Sequence, residues 1–101
     1  MRTDRALETV YKSILGENSL IIKLRNRQGL DDEEFSQLKD AMKILIDSYK
    51  DNEEIPKRLA LCFVDISVRF SFNENWYNEK ERDRLEDAAN ELSYLAEKLF
   101  A

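Results

Sequence analysis

Apolar residues recur along this chain at helical spacing in four stretches, separated by short polar breaks. In the first, from about Asp4 to Gln28, Leu7, Val10, Tyr11, Ile14, Leu15, Ile21 and Ile22 fall on one helical arc, with Asn18 the one polar residue inside it. Gly16 lies opposite that arc, where a helix tolerates it at about 1 kcal/mol. The pattern therefore predicts one helix, kinked near Gly16–Ser19, in preference to two helices joined there, and ended by Gly29 in the usual C-terminal role of glycine.

The second stretch, Asp32 to about Lys50, carries a full start signal. Asp31 can cap the helix, and Glu34 follows three residues later as in a capping box. Leu30 and Phe35 occupy the hydrophobic-staple positions around it. Asp32, Glu33 and Glu34 fill the first turn, where the helix dipole favours negative charge. Phe35, Leu38, Met42, Leu45 and Tyr49 form the apolar seam.

Asp51 to Glu54 reads as a polar linker, and Pro56 suits the first position of a third helix reaching about Phe72. Leu59, Cys62, Phe63, Ile66 and Phe70 share one arc, while Leu61, Val64 and Val68 cover much of the other side. A helix apolar on most sides is expected at the centre of a fold. Asp65 and Arg69 have the spacing of a helical ion pair. A strand competes here, because Val64, Ile66, Val68, Phe70 and Phe72 alternate with polar residues. It would make an α+β fold with a short hairpin from 19–27 and 64–72. A lone hairpin is marginal, which favours the helix.

The fourth stretch, Glu79 to Phe100, starts with Asn78 and Glu81 at capping spacing. It buries Leu85, Ala88, Leu92, Leu95 and Leu99, with Ala89 and Ala96 widening the stripe. Four helices with short connections predict an all-α fold, a compact up-down bundle of one domain spanning 1–101.

Composition narrows the function classes. The chain has 101 residues, 43% hydrophobic and 37% charged, with two glycines, one proline and no histidine. So few glycines and prolines do not suit a turn-rich β sandwich. Without histidine, the commonest general base and zinc ligand is missing, and no Ser-His-Asp or Cys-His site can be assembled. Two separated glycines make no phosphate-cradling loop. Cys62 is the single cysteine and lies in an apolar run, so it is expected as a buried structural thiol. Apolar stretches stay well under the ~20 residues that span a bilayer, and the first residues do not resemble a signal peptide. The expected location is the cytoplasm, with no membrane partner.

Carboxylates remain as candidate chemistry. An all-carboxylate magnesium site on helices would use a Glu-Glu-x-x-Glu pattern; Glu33-Glu34 starts it and Gln37 ends it wrongly. Asp83, Glu86, Asp87 and Glu91 form a second acidic group, read as solvated charge. No catalytic residue, metal or cofactor is assigned, and a carboxylate metal-dependent hydrolase is the disfavoured alternative.

The net charge of −5 is uneven. Residues 1–29 carry six bases and three acids, and on a continuous helix Arg5, Lys12, Lys23 and Arg27 make one ridge for an anionic partner. No aromatic side chain joins that ridge to stack bases, so nucleic acid is not the expected partner. Residues 30–55 carry nine acids and three bases. Asp40, Asp47 and Asp51 line the outer face of the second helix, with Ile44 expected as an exposed apolar anchor beside them. Trp76 and Tyr77, in an asparagine-rich loop, are of the residue types most enriched in binding hot spots. The pattern points to a non-enzymatic protein-binding module. It suits an acidic inhibitor or immunity-type protein for a basic partner, or alternatively a homodimeric adaptor.

Overall fold

The computed structural model describes residues 2–70 and 76–101, without the side chain of Ser67. The fold is all-α, and no strand occurs among the described residues. Helices α1 (Thr3–Leu15), α2 (Leu20–Arg25), α3 (Asp32–Tyr49), α4 (Lys57–Phe63), α5 (Ile66–Arg69) and α6 (Glu79–Phe100) occupy the four expected stretches. The hairpin alternative is excluded on the described part: 20–25 is helical, and so are 57–63 and 66–69. Phe72 lies outside the described residues.

Two of the four stretches are broken, which corrects the expectation of continuous helices. The first breaks at Gly16, whose backbone is extended (φ −68°, ψ 163°). Ser19 then starts α2 afresh, its hydroxyl accepting from the Ile22 N–H at 3.2 Å. The Ser19 cap is the signal that pattern reading passes over, because the apolar arc runs straight through it. Nor does Gly29 end the helix. α2 stops at Arg25, and Arg27 takes the left-handed position (φ 60°). The Arg27 N–H donates to the Leu24 carbonyl and the Gln28 N–H to the Lys23 carbonyl, the paired bonds of a Schellman ending. Gly29 serves one turn later, at φ 81°, in the connection to α3.

The third stretch breaks at Val64–Asp65, where Asp65 is left-handed (φ 55°), a conformation that aspartate tolerates better than most residues. The bend redirects the chain: α4 packs against α1, whereas α5 packs against α6. The ion pair expected between Asp65 and Arg69 is not formed, and only the backbone bond from the Arg69 N–H to the Asp65 carbonyl joins them.

The segments alternate in direction along the chain, as an up-down bundle requires. α3 runs antiparallel to α1, with Thr3 hydrogen-bonded to Ser48 at one end. α3 and α6 run parallel, since Asp32 pairs with Arg84 and Lys39 with Glu91. In space the order is α1, α3, α6, then α4–α5, closing back on α1. The linker from Lys50 to Pro56 therefore crosses from α3 to the opposite corner. That order corrects the expectation of a central third helix. A helix at the corner of a ring of four buries one arc only, so Leu59, Cys62, Ile66 and Phe70 are inside. Leu61, Val64 and Val68 are 53%, 54% and 68% exposed.

The core otherwise follows the pattern. Phe35, Leu38, Met42 and Leu45 of α3 meet Val10 and Ile14 of α1 and Leu85, Leu92 and Leu99 of α6. Both predicted caps form: the Asp31 carboxylate accepts from the Glu34 N–H at 3.1 Å and the Asn78 side chain from the Glu81 N–H at 2.8 Å. No helix among the described residues is long and apolar enough to cross a membrane.

At Gly16 a Cβ would lie 2.5 Å from the Lys12 carbonyl oxygen, a backbone atom that cannot step aside. Gly16→Ala should therefore lower stability by about 2 kcal/mol, read as a fall in urea midpoint. A midpoint equal to that of the native chain would show that the break tolerates a side chain.

Candidate functional site

The acids of α3 divide into two sets by where the helix turns them. Asp31, Asp32 and Glu34 are engaged internally. The Lys23 ammonium donates to Asp31 at 3.1 Å and to Glu34 at 2.6 Å, fastening α2 to the start of α3, and Asp32 pairs with Arg84 of α6. Glu33, Asp40, Asp47 and Asp51 lie along the outward ridge and are exposed. Asp47 approaches Lys50 at 3.8 Å, both side chains well exposed, a contact of little energetic weight. Asp40 and Asp47 are exposed on α3, and Asp51 is exposed in the turn just beyond its C-cap Lys50.

Ile44 is placed differently from its expectation. It is half-buried and packed against the core. With Leu7 it floors an open groove between α1 and α3, rimmed by Arg2, Thr3, Asp4, Asp47 and Ser48. The correction has a simple cause: Ile44 lies on the α1-facing flank of the acidic ridge, close enough for α1 to cover one side of it.

The basic ridge is assembled only in part. The first helix is broken at Gly16–Ser19. Lys12 of α1 and Lys23 of α2 still line one pocket, which they share with the acids Asp31, Glu33 and Glu34, whereas Arg5 and Arg27 do not line it. Arg5 and Lys12 are solvent-exposed. Lys23 is committed to its two carboxylates. Arg27 stacks its guanidinium over the Trp76 ring at 5.0 Å, a cation–π contact.

Trp76 and Tyr77 close one end of the bundle. Trp76 is half-buried against the core under Arg27. Tyr77 is only 9% exposed, which removes it from the residues able to meet a partner. Its hydroxyl donates to the Leu24 carbonyl at 2.8 Å and accepts from the Gly29 N–H at 3.3 Å. It thereby ties the start of α6 to the α2–α3 junction.

The remaining chemistry is inert or solvated. Cys62 is buried, its thiol hydrogen-bonded to the Arg58 carbonyl at 3.4 Å, and burial pushes its pKa up to about 11. A thiol so protonated is a poor nucleophile. Asp83, Glu86, Asp87 and Glu91 are exposed on α6, with Glu91 paired to Lys39 at 3.1 Å. Among the described residues, no group of three metal-ligating side chains converges. The surface feature that sequence reading assigned to the core is the apolar outer side of α4 and α5, Leu61, Val64 and Val68, with Phe100 of α6 beside it.

The chain matches no protein-family model, no curated protein and no solved structure.

Two stability effects follow from the ties around the α2–α3 junction. Tyr77→Phe removes two hydrogen bonds: the Leu24 carbonyl keeps the Arg27 N–H, whereas the Gly29 N–H loses its acceptor, which should lower stability by about 1–2 kcal/mol in urea unfolding. A change within about 0.3 kcal/mol would mean that the hydroxyl holds nothing together.

The second effect depends on pH. The Glu34 N–H, and then the Lys23 ammonium, hold the Asp31 carboxyl below its ordinary value of 3.8. The hydrogen bonds to Glu34 and then Asp31 hold Lys23 above 10.5. Asp31 therefore contributes stability above pH 3.8, lost as pH falls through its lower folded value. Lys23 contributes below pH 10.5, and that is lost as pH rises through its higher folded value. Asparagine keeps the cap and loses the charge, so Asp31→Asn should be less stable than the native chain at pH 7. The two should converge as pH drops below the ordinary carboxyl value. Equal urea midpoints at pH 7 would show that the ion pair adds nothing.

Proposed function

We propose that this chain is a non-enzymatic protein-binding module of the cytoplasm, whose acidic face docks a basic protein. The observation that carries the reading is the ridge of Asp40, Asp47 and Asp51 running beside a groove floored by Leu7 and Ile44. A lysine or arginine of the partner has the matching form: an aliphatic stem for the apolar floor and a cationic head for Asp47 at its rim, Asp4 being paired with Arg2 at 3.5 Å. The surrounding acids steer such a partner into encounter and set its orientation.

In its sharpest form the module is an inhibitor or immunity-type protein, its α3 ridge covering the basic cleft of a toxin such as a nuclease. That form rests on size, charge and architecture together. The internal use of Asp31, Asp32 and Glu34 supports the binding reading over a catalytic one. These acids are consumed in holding the bundle, and Asp40, Asp47 and Asp51 are left exposed.

The test is affinity capture on the immobilised chain, from an extract of its own host, against an Asp40→Lys, Asp47→Lys, Asp51→Lys variant. All three side chains are exposed, so the variant should keep its helical circular dichroism. Native protein should retain a basic partner that elutes with moderate salt, and the variant should lose it by about tenfold or more in affinity. Equal retention by the folded variant would overturn the proposal.

A further inference from the structure

The outer side of the α4–α5 corner carries a ridge and a groove side by side. Leu61 and Val64 stand out as the ridge, each more than half exposed, continued by Val68 on α5. Between α4 and α6 runs an open groove whose ridge-side wall is Val64 itself, lined also by Ala60, Phe63, Ser93, Ala96 and Phe100, with Glu97. Its small residues, Ala60, Ser93 and Ala96, leave room for an inserted side chain. Phe63 and Phe100, ring centroids 5.9 Å apart in an edge-on contact, close its end.

From this arrangement we infer that the face binds a second copy of the same chain, forming a two-fold dimer in which the ridge of each copy fills the groove of the other. Three features select this occupant. A ridge beside a groove on one face is complementary to itself after a half-turn, as an isologous interface requires. The charges follow the same rule: Lys57, one turn before Leu61 on α4, is basic, whereas the charged residue lining the groove is Glu97; Arg58 is turned to α1, its guanidinium 4.6 Å from the Tyr11 ring centroid. Ridge-to-groove docking therefore sets base toward acid on both sides of the axis.

The third feature is the bundle order. α4 lies across the ring from α3, so docking here keeps the two acid-rich ridges apart and facing outward. Pairing the outer ridge of α3 against its own copy would bring like charges together. This interface is separate from the acidic face and does not depend on the role proposed for that face.

Sedimentation equilibrium over about 5–500 μM tests the inference, a span that resolves a Kd near 10 μM. The native chain should approach twice its 12.0 kDa mass at the upper end. Leu61→Lys with Val64→Lys should weaken association by about tenfold or more, with an unchanged thermal melt at about 1 μM, where both chains are monomeric, because both positions are exposed. Lys57→Glu should also weaken it, and Lys57→Glu combined with Glu97→Lys should restore it. A native chain that stays monomeric throughout would overturn the inference. So would a dimer untouched by these substitutions, or a charge exchange that fails to restore what the single reversal removes.

Discussion

The buried hydroxyl of Tyr77 joins the two places where this bundle is most at risk of coming apart. Its acceptor, the Leu24 carbonyl, is in the last turn of α2, a helix of six residues that has little stability of its own. Its donor, the Gly29 N–H, is in the connection that leads into α3. Through one side chain the start of α6 is thus fastened to the end of α2 and the beginning of α3. Lys23 adds a second clamp at the same junction by reaching Asp31, the cap of α3, and Glu34 in its first turn. The break at Gly16 is tolerable because α2 is held from both sides. Arg27 over Trp76 caps the arrangement from outside.

These ties also decide which charges are free to act. A chain with nine acids between residues 30 and 55 looks uniformly negative there, yet its structure spends some of them inward. Asp31, Asp32 and Glu34 each meet a base on another element, at the end of α3 nearest the junction. The acids farther along α3 and in the linker have no such neighbours. The charge gradient therefore continues within α3 itself, from a structural first turn to a solvated outer ridge. The encounter surface proposed here is what remains after folding has taken its share.

The four stretches, both side-chain caps and the seams of α3 and α6 were legible, because each rests on local spacing and a local hydrogen bond. Long-range geometry was not. Gly16 looked harmless on the outside of an arc, since periodicity cannot register a close approach to the Lys12 carbonyl. The break turns α2 so that Leu20 and Leu24, which lie outside that arc, are fully buried, while Ile22 of the arc is only half-buried. Asp65 gave no cue beyond aspartate's tolerance of left-handed backbone. Tyr77 and Trp76 read alike as hot-spot types in a polar loop, but only a fold that brings residue 77 against residue 24 could bury the one and half-cover the other. Ile44 depended on which flank of α3 faced α1. The candidate site was thus legible as a line of acids, and its groove was not.

The misplaced centre of the bundle carries the largest functional consequence. A segment apolar on most sides suits a central position, and this fold gives it a corner. The linker from Lys50 to Pro56 sends the chain across to α1 rather than onto α3, and the bend at Asp65 hands it on to α6. Each step buries the Leu59–Cys62–Ile66–Phe70 arc and leaves the opposite arc in water. Exposed apolar side chains at three successive positions of one corner are more than scattered surface residues. Rearrangement of the monomer cannot cover them without uncovering the buried arc, because a corner helix has only one inward side. Association can cover them while leaving every internal tie intact. The same ring order that exposes this corner places the acidic ridge opposite to it, so covering the first leaves the second open for a basic partner.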